Sequence, residues 1–106
     1  MNNPYLPHTA KIVSVRDEAF GERPIKTFRV VPENGYNLNH SPGQCAIIGI
    51  LGIGESIISI ASSPTKKDYL EFSIMRLGKV TSALHECEED DTISIRGPYG
   101  LSLIHI

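Results

Sequence analysis

The chain has 106 residues and a formal net charge of −2, from ten basic and twelve acidic side chains. This length suits one domain with one hydrophobic core. The near balance of charge gives no general attraction to nucleic acid or anionic lipid, so neither is expected as a partner. Gly49, Gly52 and Gly54 interrupt the longest apolar run, which is too short for a membrane span of about 18 residues. The sequence therefore predicts a soluble, cytoplasmic chain without membrane contact.

The first half of the chain predicts two strands and a long loop. Residues 10–18 and 25–32 are rich in β-branched side chains and are separated by the turn-prone segment AFGERP. Antiparallel pairing is the shortest connection between two such strands. An extended lead-in precedes them over residues 1–7, and a polar loop follows over residues 33–44, with turn signals at Asn34-Gly35 and Pro42-Gly43.

The second half predicts four more strands, over residues 45–52, 57–61, 69–76 and 92–96. The first of these is apolar on both parities, as in a strand that is covered on both faces. In the last two, apolar and polar residues alternate, which predicts one buried face. That face carries Leu70, Phe72, Ile74, Ile93 and Ile95.

One helix is predicted, over residues 78–91 with the sequence GKVTSALHECEEDD. Thr81 or Ser82 is the expected N-cap, and Ala83, Leu84 and Cys87 form a short apolar stripe. Six short strands and one helix, with glycine and proline between them, predict a mainly all-β fold. We expect a six-stranded antiparallel Greek-key barrel with the short helix capping one end.

No metal site is predicted from the residues that usually bind metals. Cys45 and Cys87 lie far apart without a Cys-x-x-Cys spacing, so we expect ordinary buried or half-buried thiols. The segment CEEDD over residues 87–91 is interpreted as a solvated helix end, since consecutive residues do not converge on one ion. The histidines have no ligand spacing and are expected at the surface or in caps. They are His8, His40, His85 and His105.

The strand-to-helix turn after residue 75 has the chemistry of a phosphate site. A helix N-terminus offers unpaired N–H groups and partial positive charge. Gly78 permits close approach of the backbone, Thr81 and Ser82 add hydroxyl groups, and Arg76 or Lys79 can supply charge. The same residues also suit a helix cap that binds nothing, so both interpretations stay open on this pattern alone.

Five segments, NPYLP, SPGQ, ESIISIASSPT, LGKVTSALHE and IRGPYG, follow the order and spacing of one known family. From about residue 3 to residue 100 the chain resembles the flavin-binding barrel of the ferredoxin reductase-like superfamily. More narrowly, it resembles the gamma-type flavin and NAD(P) subunits of sulfhydrogenases and anaerobic sulfite reductases, which are related to the electron-transfer subunit of dihydroorotate dehydrogenase. The resemblance implies an FAD-binding domain over residues 1–100.

The resemblance also implies the site residues. Ser59 matches the serine that faces the flavin ring near N5, and is the implied catalytic residue. Ile58 replaces the aromatic residue that stacks on the ring, Ser56 replaces the arginine that pairs with the pyrophosphate, and Arg76 is the implied substitute cation. The full cofactor-binding set is Ser56, Ile57, Ile58, Ser59, Ile74, Met75, Arg76, Gly78, Val80 and Thr81.

The function implied by the resemblance is electron transfer between NAD(P)H and an iron–sulfur partner, within a complex of hydrogenase or reductase subunits. The family carries an NAD(P)-binding domain after RGPYG, whereas residues 101–106 do not resemble it and no Gly-x-Gly-x-x-Gly is present. We therefore expect a chain truncated before its nucleotide domain, which does not turn over alone. Two alternatives stay open: a small barrel that binds oligonucleotide or protein without redox chemistry, and a fragment that folds incompletely.

Overall fold

The structure is a computed structural model that describes residues 7–33, 41, 43–63, 65 and 68–99. It contains β1 (His8–Ala19), β2 (Ile25–Pro32), β3 (Cys45–Ile50), β4 (Gly54–Ser59), β5 (Leu70–Met75), α1 (Lys79–His85) and β6 (Thr92–Tyr99). The mainly all-β class, the six strands and the short helix are confirmed. The predictions for residues 1–6, the Asn34-Gly35 turn, Pro42, His40, His105 and residues 101–106 lie outside the described residues.

The six strands form one antiparallel sheet in the order β4-β3-β6-β1-β2-β5. The predicted pairing of the first two strands is confirmed. The sheet is not closed, because β4 and β5 are its two edges. Between the described residues, the chain after β4 meets β5 at the isolated bridge between Ile60 and Phe72 and at the hydrogen bond from the N–H of Ala61 to the carbonyl of Glu71. Beyond this bridge the Ser62 hydroxyl accepts the N–H of Glu71 at 3.0 Å, in place of a strand partner. The predicted barrel is thus a curled sheet with a gap between its two edge strands, and we call this gap the open edge between β4 and β5.

The core lies between the inner faces of the strands and the helix. Alternation in β5 and β6 buries the face that was predicted, and α1 adds Leu84 from the open side. Burying such side chains stabilises the fold by about 1.5–3 kcal/mol each. The core cluster comprises Ala10, Ile12, Phe28, Val30, Ala46, Ile48, Leu70, Phe72, Ile74, Leu84, Ile93 and Ile95.

The β3–β4 hairpin turns earlier than the apolar run suggests. Ile53 donates its N–H to the carbonyl of Ile50 at 3.0 Å, and Gly52 has a φ of +85°, which favours glycine. Leu51 is therefore in the turn and 99% exposed, so the prediction of a strand covered on both faces to residue 52 is wrong at its end.

The helix is also shorter than predicted. Its N-cap is Gly78, not Thr81 or Ser82, and its C-cap is Glu86. The chain then turns through Asp90, whose φ is +74°. The N–H of Asp90 donates to the carbonyl of Ile12 at 2.8 Å, and the N–H of Ile12 donates to the carbonyl of Asp91 at 2.9 Å, so these bonds tie the chain to β1. Residues 88–91 are exposed, as expected for a solvated helix end that leads into a strand. No helix among the described residues has both the length and the apolar character needed to cross a membrane.

Candidate functional site

The open edge between β4 and β5 brings together two segments on which the resemblance places site residues, the strand from Ser56 to Ser59 and the strand-to-helix turn from Ile74 to Thr81. β4 forms one side, the end of β5 forms the other, and the first turn of α1 closes the gap between them. A Cβ placed on Gly54, at the start of β4, would lie 3.1 Å from Cγ2 of Val80 in α1. The start of β4 and the start of the helix are thus in direct contact.

The backbone of β4 presents hydrogen-bonding groups to this edge. Ile60 donates its N–H to the carbonyl of Gln44, on the β3 side, at 3.1 Å. Ala61 donates its N–H in the opposite direction, to the carbonyl of Glu71, at 2.8 Å. Because successive residues of an antiparallel strand alternate in this way, the N–H groups of Ile57 and Ser59 point toward the open edge.

The side chains of β4 divide between its two faces. Ser56 and Ile58 are half-buried, and Ile58 packs against the core cluster. Ile57 is 50% exposed and Ser59, the last residue of the strand, is exposed. Ile57 is therefore the more accessible apolar side chain of the pair, although the resemblance assigns the ring-packing position to Ile58.

The end of β5 contributes backbone more than side chains. The Ile74 side chain belongs to the core, so this residue can meet a ligand only through its main chain. Met75 is half-buried, and Arg76 is exposed with its N–H donated to the carbonyl of Pro24 at 3.0 Å. This hydrogen bond fixes the main chain of Arg76 close to the start of the helix, and the side chain extends from there.

The hydroxyl of Thr81 holds the turn that begins α1. Its Oγ1 accepts the N–H of Leu77 at 2.8 Å and that of Gly78 at 3.0 Å. The first helical hydrogen bond runs from the N–H of Ser82 to the carbonyl of Gly78, so the N–H groups of residues 79–81 precede the helical ladder. The space where a Cβ of Gly78 would lie is open. Because the Thr81 hydroxyl already accepts two hydrogen bonds, this turn offers a ligand mainly backbone N–H groups.

Two cations flank the turn. Arg76 and Lys79 are exposed, and none of the ion pairs between described residues engages either of them. Arg96, by contrast, makes two hydrogen bonds of 2.9 and 3.0 Å to Glu55 across β3. Glu55 precedes Ser56, so the acidic side chain nearest to Ser56 in sequence is already paired with a cation.

His85 is a residue of this region that the sequence reasoning missed. It is 5% exposed, its Nε2–H donates to the carbonyl of Ile74 at 2.6 Å, and its ring meets Phe28 edge to face with centroids 6.1 Å apart. The expectation of a surface or capping role is wrong for this histidine, because it lies between α1 and β5. Its place beside Leu84 on the apolar stripe was the signal in the sequence.

The two thiols are buried and half-buried, as expected. Burial raises the pKa of Cys45, and burial together with Asp91 and Glu86 raises the pKa of Cys87. Both thiols are therefore poor nucleophiles at neutral pH. Across the described residues, no group of three or more His, Cys, Asp or Glu side chains could hold a metal ion.

Comparison with known proteins agrees with the fold. No family model matches the chain. The chain is 38% identical over 98 residues to the sulfhydrogenase 2 gamma subunit of Pyrococcus furiosus, covering 92% of this chain and 34% of that one. It is 34% identical over 76 residues to a probable dihydroorotate dehydrogenase B (NAD(+)) electron transfer subunit of Methanocaldococcus jannaschii, covering 72% and 26%. The chain thus spans about a third of the length of these curated relatives, or less.

Among solved structures, the ferredoxin reductase in carbazole 1,9a-dioxygenase superposes with a TM-score of 0.74 at 23% identity, covering 90% of this chain and 29% of that one. Its FAD apo form superposes with a TM-score of 0.70 at 21% identity, covering 90% and 30%. Sequence relatives and fold neighbours therefore point the same way, and the resemblance is confirmed. The chain is related to sulfhydrogenase gamma subunits and dihydroorotate dehydrogenase electron transfer subunits, and it has the fold of the flavin-binding part of ferredoxin reductases.

Proposed function

We propose that this chain is the FAD-binding part of an NAD(P)H-dependent electron-transfer oxidoreductase, and that the open edge between β4 and β5 holds the flavin. The observation that carries the proposal is the contact between Gly54 and Val80, which joins the implied ring-binding strand to the implied phosphate-binding turn. The names of the relatives, which include an electron transfer subunit, and the FAD apo form of a fold neighbour support it.

The turn before α1 fits the pyrophosphate of FAD. Backbone N–H groups that precede the helical ladder favour an anion, and Gly78 leaves room for one to approach. Ser56 carries no charge where the family has arginine, so the cation must come from elsewhere. Arg76 and Lys79 are exposed on the two sides of Gly78, and we propose that they fill this role.

The edge of β4 fits the flavin ring. The N–H groups of Ile57 and Ser59 point outward, where they can donate to the acceptor atoms along the polar edge of the ring. Ile57 and Ile58 offer apolar surface on either side of the strand. We propose that the Ser59 hydroxyl, exposed at the end of the strand, lies beside the reactive part of the ring. A bound flavin supplies the redox chemistry, while these residues bind and orient it.

The rest of the proposed function depends on partners. The electrons come from NAD(P)H and leave toward an iron–sulfur centre, in a complex with hydrogenase or reductase subunits. The sulfhydrogenase and dihydroorotate dehydrogenase names of the relatives support this assignment. A cytoplasmic location is proposed with it, because that compartment supplies the nicotinamide coenzyme.

The test is the visible absorption spectrum of the purified chain before and after addition of FAD, followed by chromatography of any flavin released on denaturation. We expect a bound-flavin spectrum that saturates at one FAD per chain. FMN should bind more weakly, because it lacks the second phosphate and the adenosine. A chain that is folded by circular dichroism yet takes up no flavin contradicts the proposal. Nucleic-acid binding with steep salt dependence would instead support the alternative binding module.

A further inference from the structure

We propose that His85 is the positioning residue that sets the geometry of the Gly78–Thr81 turn, from the far end of α1. Only the link to FAD rests on the proposed function. The effect of His85 on the turn itself rests on contacts between described residues alone. His85 does not touch the turn, so its action has to pass through the orientation of the helix.

Two hydrogen bonds fix the C-terminal end of α1. The Nε2–H of His85 donates to the carbonyl of Ile74 in β5 at 2.6 Å, and the carbonyl acceptor requires the proton on Nε2. The ammonium of Lys26 in β2 donates to the His85 carbonyl at 3.0 Å. This cation also complements the negative end of the helix dipole. Since Lys26 and Ile74 are paired in the sheet, both bonds anchor the helix to one place.

The helix needs such anchors because it is short. Seven residues make about two turns and span about 10 Å, which is too short for a stable helix in isolation. The N-terminal end is held by the packing of Val80 on Gly54 and by the hydroxyl of Thr81. His85 lies one turn after Thr81, so a helix that loses the His85 hydrogen bond can rotate about the contacts of Val80 and Leu84 with the core. The N–H groups of the turn then move relative to β4.

The experiment compares His85→Leu, which keeps bulk but loses the donor, with His85→Gln, whose amide can reproduce the donor. Ile12→Val is the matched control, because it weakens the core on β1 and keeps the backbone hydrogen bonds of residue 12 with Asp90 and Asp91. Amide hydrogen exchange is measured at Leu77 and Gly78, the donors to Thr81, without any flavin. FAD affinity is measured in parallel. We expect His85→Leu to speed exchange at both amides about five- to tenfold relative to Ile12→Val. His85→Gln should stay within about twofold of wild type, by the same reasoning.

Equal exchange at these amides in His85→Leu and Ile12→Val overturns the proposal. Nitrogen NMR of the wild-type imidazole tests it without a variant: the Nε2–H tautomer supports it and the Nδ1–H tautomer overturns it. If His85→Leu does not fold, Lys26→Met replaces it, since loss of the second anchor should also speed exchange at Leu77 and Gly78. A wild-type chain that binds no FAD refutes the proposed function, while the exchange data still decide the role of His85.

Discussion

A Cβ on Gly54 would meet Cγ2 of Val80 at 3.1 Å, so the first residue of β4 and the first turn of α1 touch, and a side chain at this position would require Val80 to move by a few tenths of an ångström. Gly54 also has a φ of +145°, a conformation that other residues rarely adopt. Both the backbone conformation and the contact with α1 therefore favour glycine at this position.

Gly54→Ala is expected to lower the free energy of unfolding by about 1–3 kcal/mol and to weaken FAD binding. Gly52→Ala is the matched control, because Gly52 lies in the same hairpin with a φ of +85° but has no atom within 4 Å of its would-be Cβ. The control should cost stability alone. Urea denaturation and FAD titration of both variants check this. Equal FAD affinity in the two variants would show that the contact with Val80 does not shape the site.

Thr81→Val is expected to lower the free energy of unfolding by about 1–2 kcal/mol, because the N–H groups of Leu77 and Gly78 lose their acceptor. Thr81→Ser keeps the hydroxyl and should restore most of this stability. FAD affinity should follow the same order if Thr81 acts by shaping the turn. A Thr81→Val chain as stable as wild type, with weaker FAD binding, would instead indicate direct contact between the hydroxyl and the ligand.

Arg76→Ala and Lys79→Ala are each expected to weaken FAD binding about tenfold, through loss of a charge-assisted hydrogen bond to phosphate. Lys11→Ala is the matched control, because Lys11 is exposed on β1 and its loss changes the net charge equally. FAD titrations at low and high salt measure the effect. If all three variants lose affinity to the same extent, the attraction comes from overall charge and the turn is not the phosphate site.

The thiols should react slowly with a disulfide reagent at pH 7–8, since their raised pKa values keep them protonated. Half-buried Cys87 should react before Cys45, which is 1% exposed. A folded-state pKa above the unfolded value means that stability is complete below the ordinary thiol range and falls as pH rises through it. Reagent kinetics from pH 7 to 10 check the rate and order of thiol reaction, and urea denaturation over the same range checks the fall in stability. Faster reaction at Cys45 would contradict the burial described.

Local sequence patterns were enough to predict strands that bury one face and expose the other. The alternation over Leu70, Phe72 and Ile74 predicted a buried face correctly, and β2 has the predicted bounds of residues 25–32. β4 was predicted to begin at residue 57, yet it begins at Gly54. Glycine and the polar residues after it have low strand propensity, but the ladder with β3 imposes strand geometry on them.

The site was predictable only in outline. The turn at Gly78 could be recognised from the sequence, because glycine and a hydroxyl residue three positions later are local signals. The position of His85 next to Leu84 could signal burial, but its hydrogen-bond partner could not be predicted, since the partner is the backbone carbonyl of Ile74 and a main-chain acceptor leaves no mark in a sequence. The early end of α1 was missed for the same reason, because the chain after it is held by backbone hydrogen bonds of Asp90 and Asp91 with Ile12.

The unfinished closure of the sheet also exposes the protein to self-association. An edge strand with outward N–H and C=O groups is a template to which another chain can add a strand. Ile57, which is 50% exposed, adds accessible apolar surface to the β4 edge. A ligand seated on this edge occupies the same hydrogen-bonding groups. Under the proposed function, a bound cofactor also protects this edge, and we expect loss of flavin to promote aggregation.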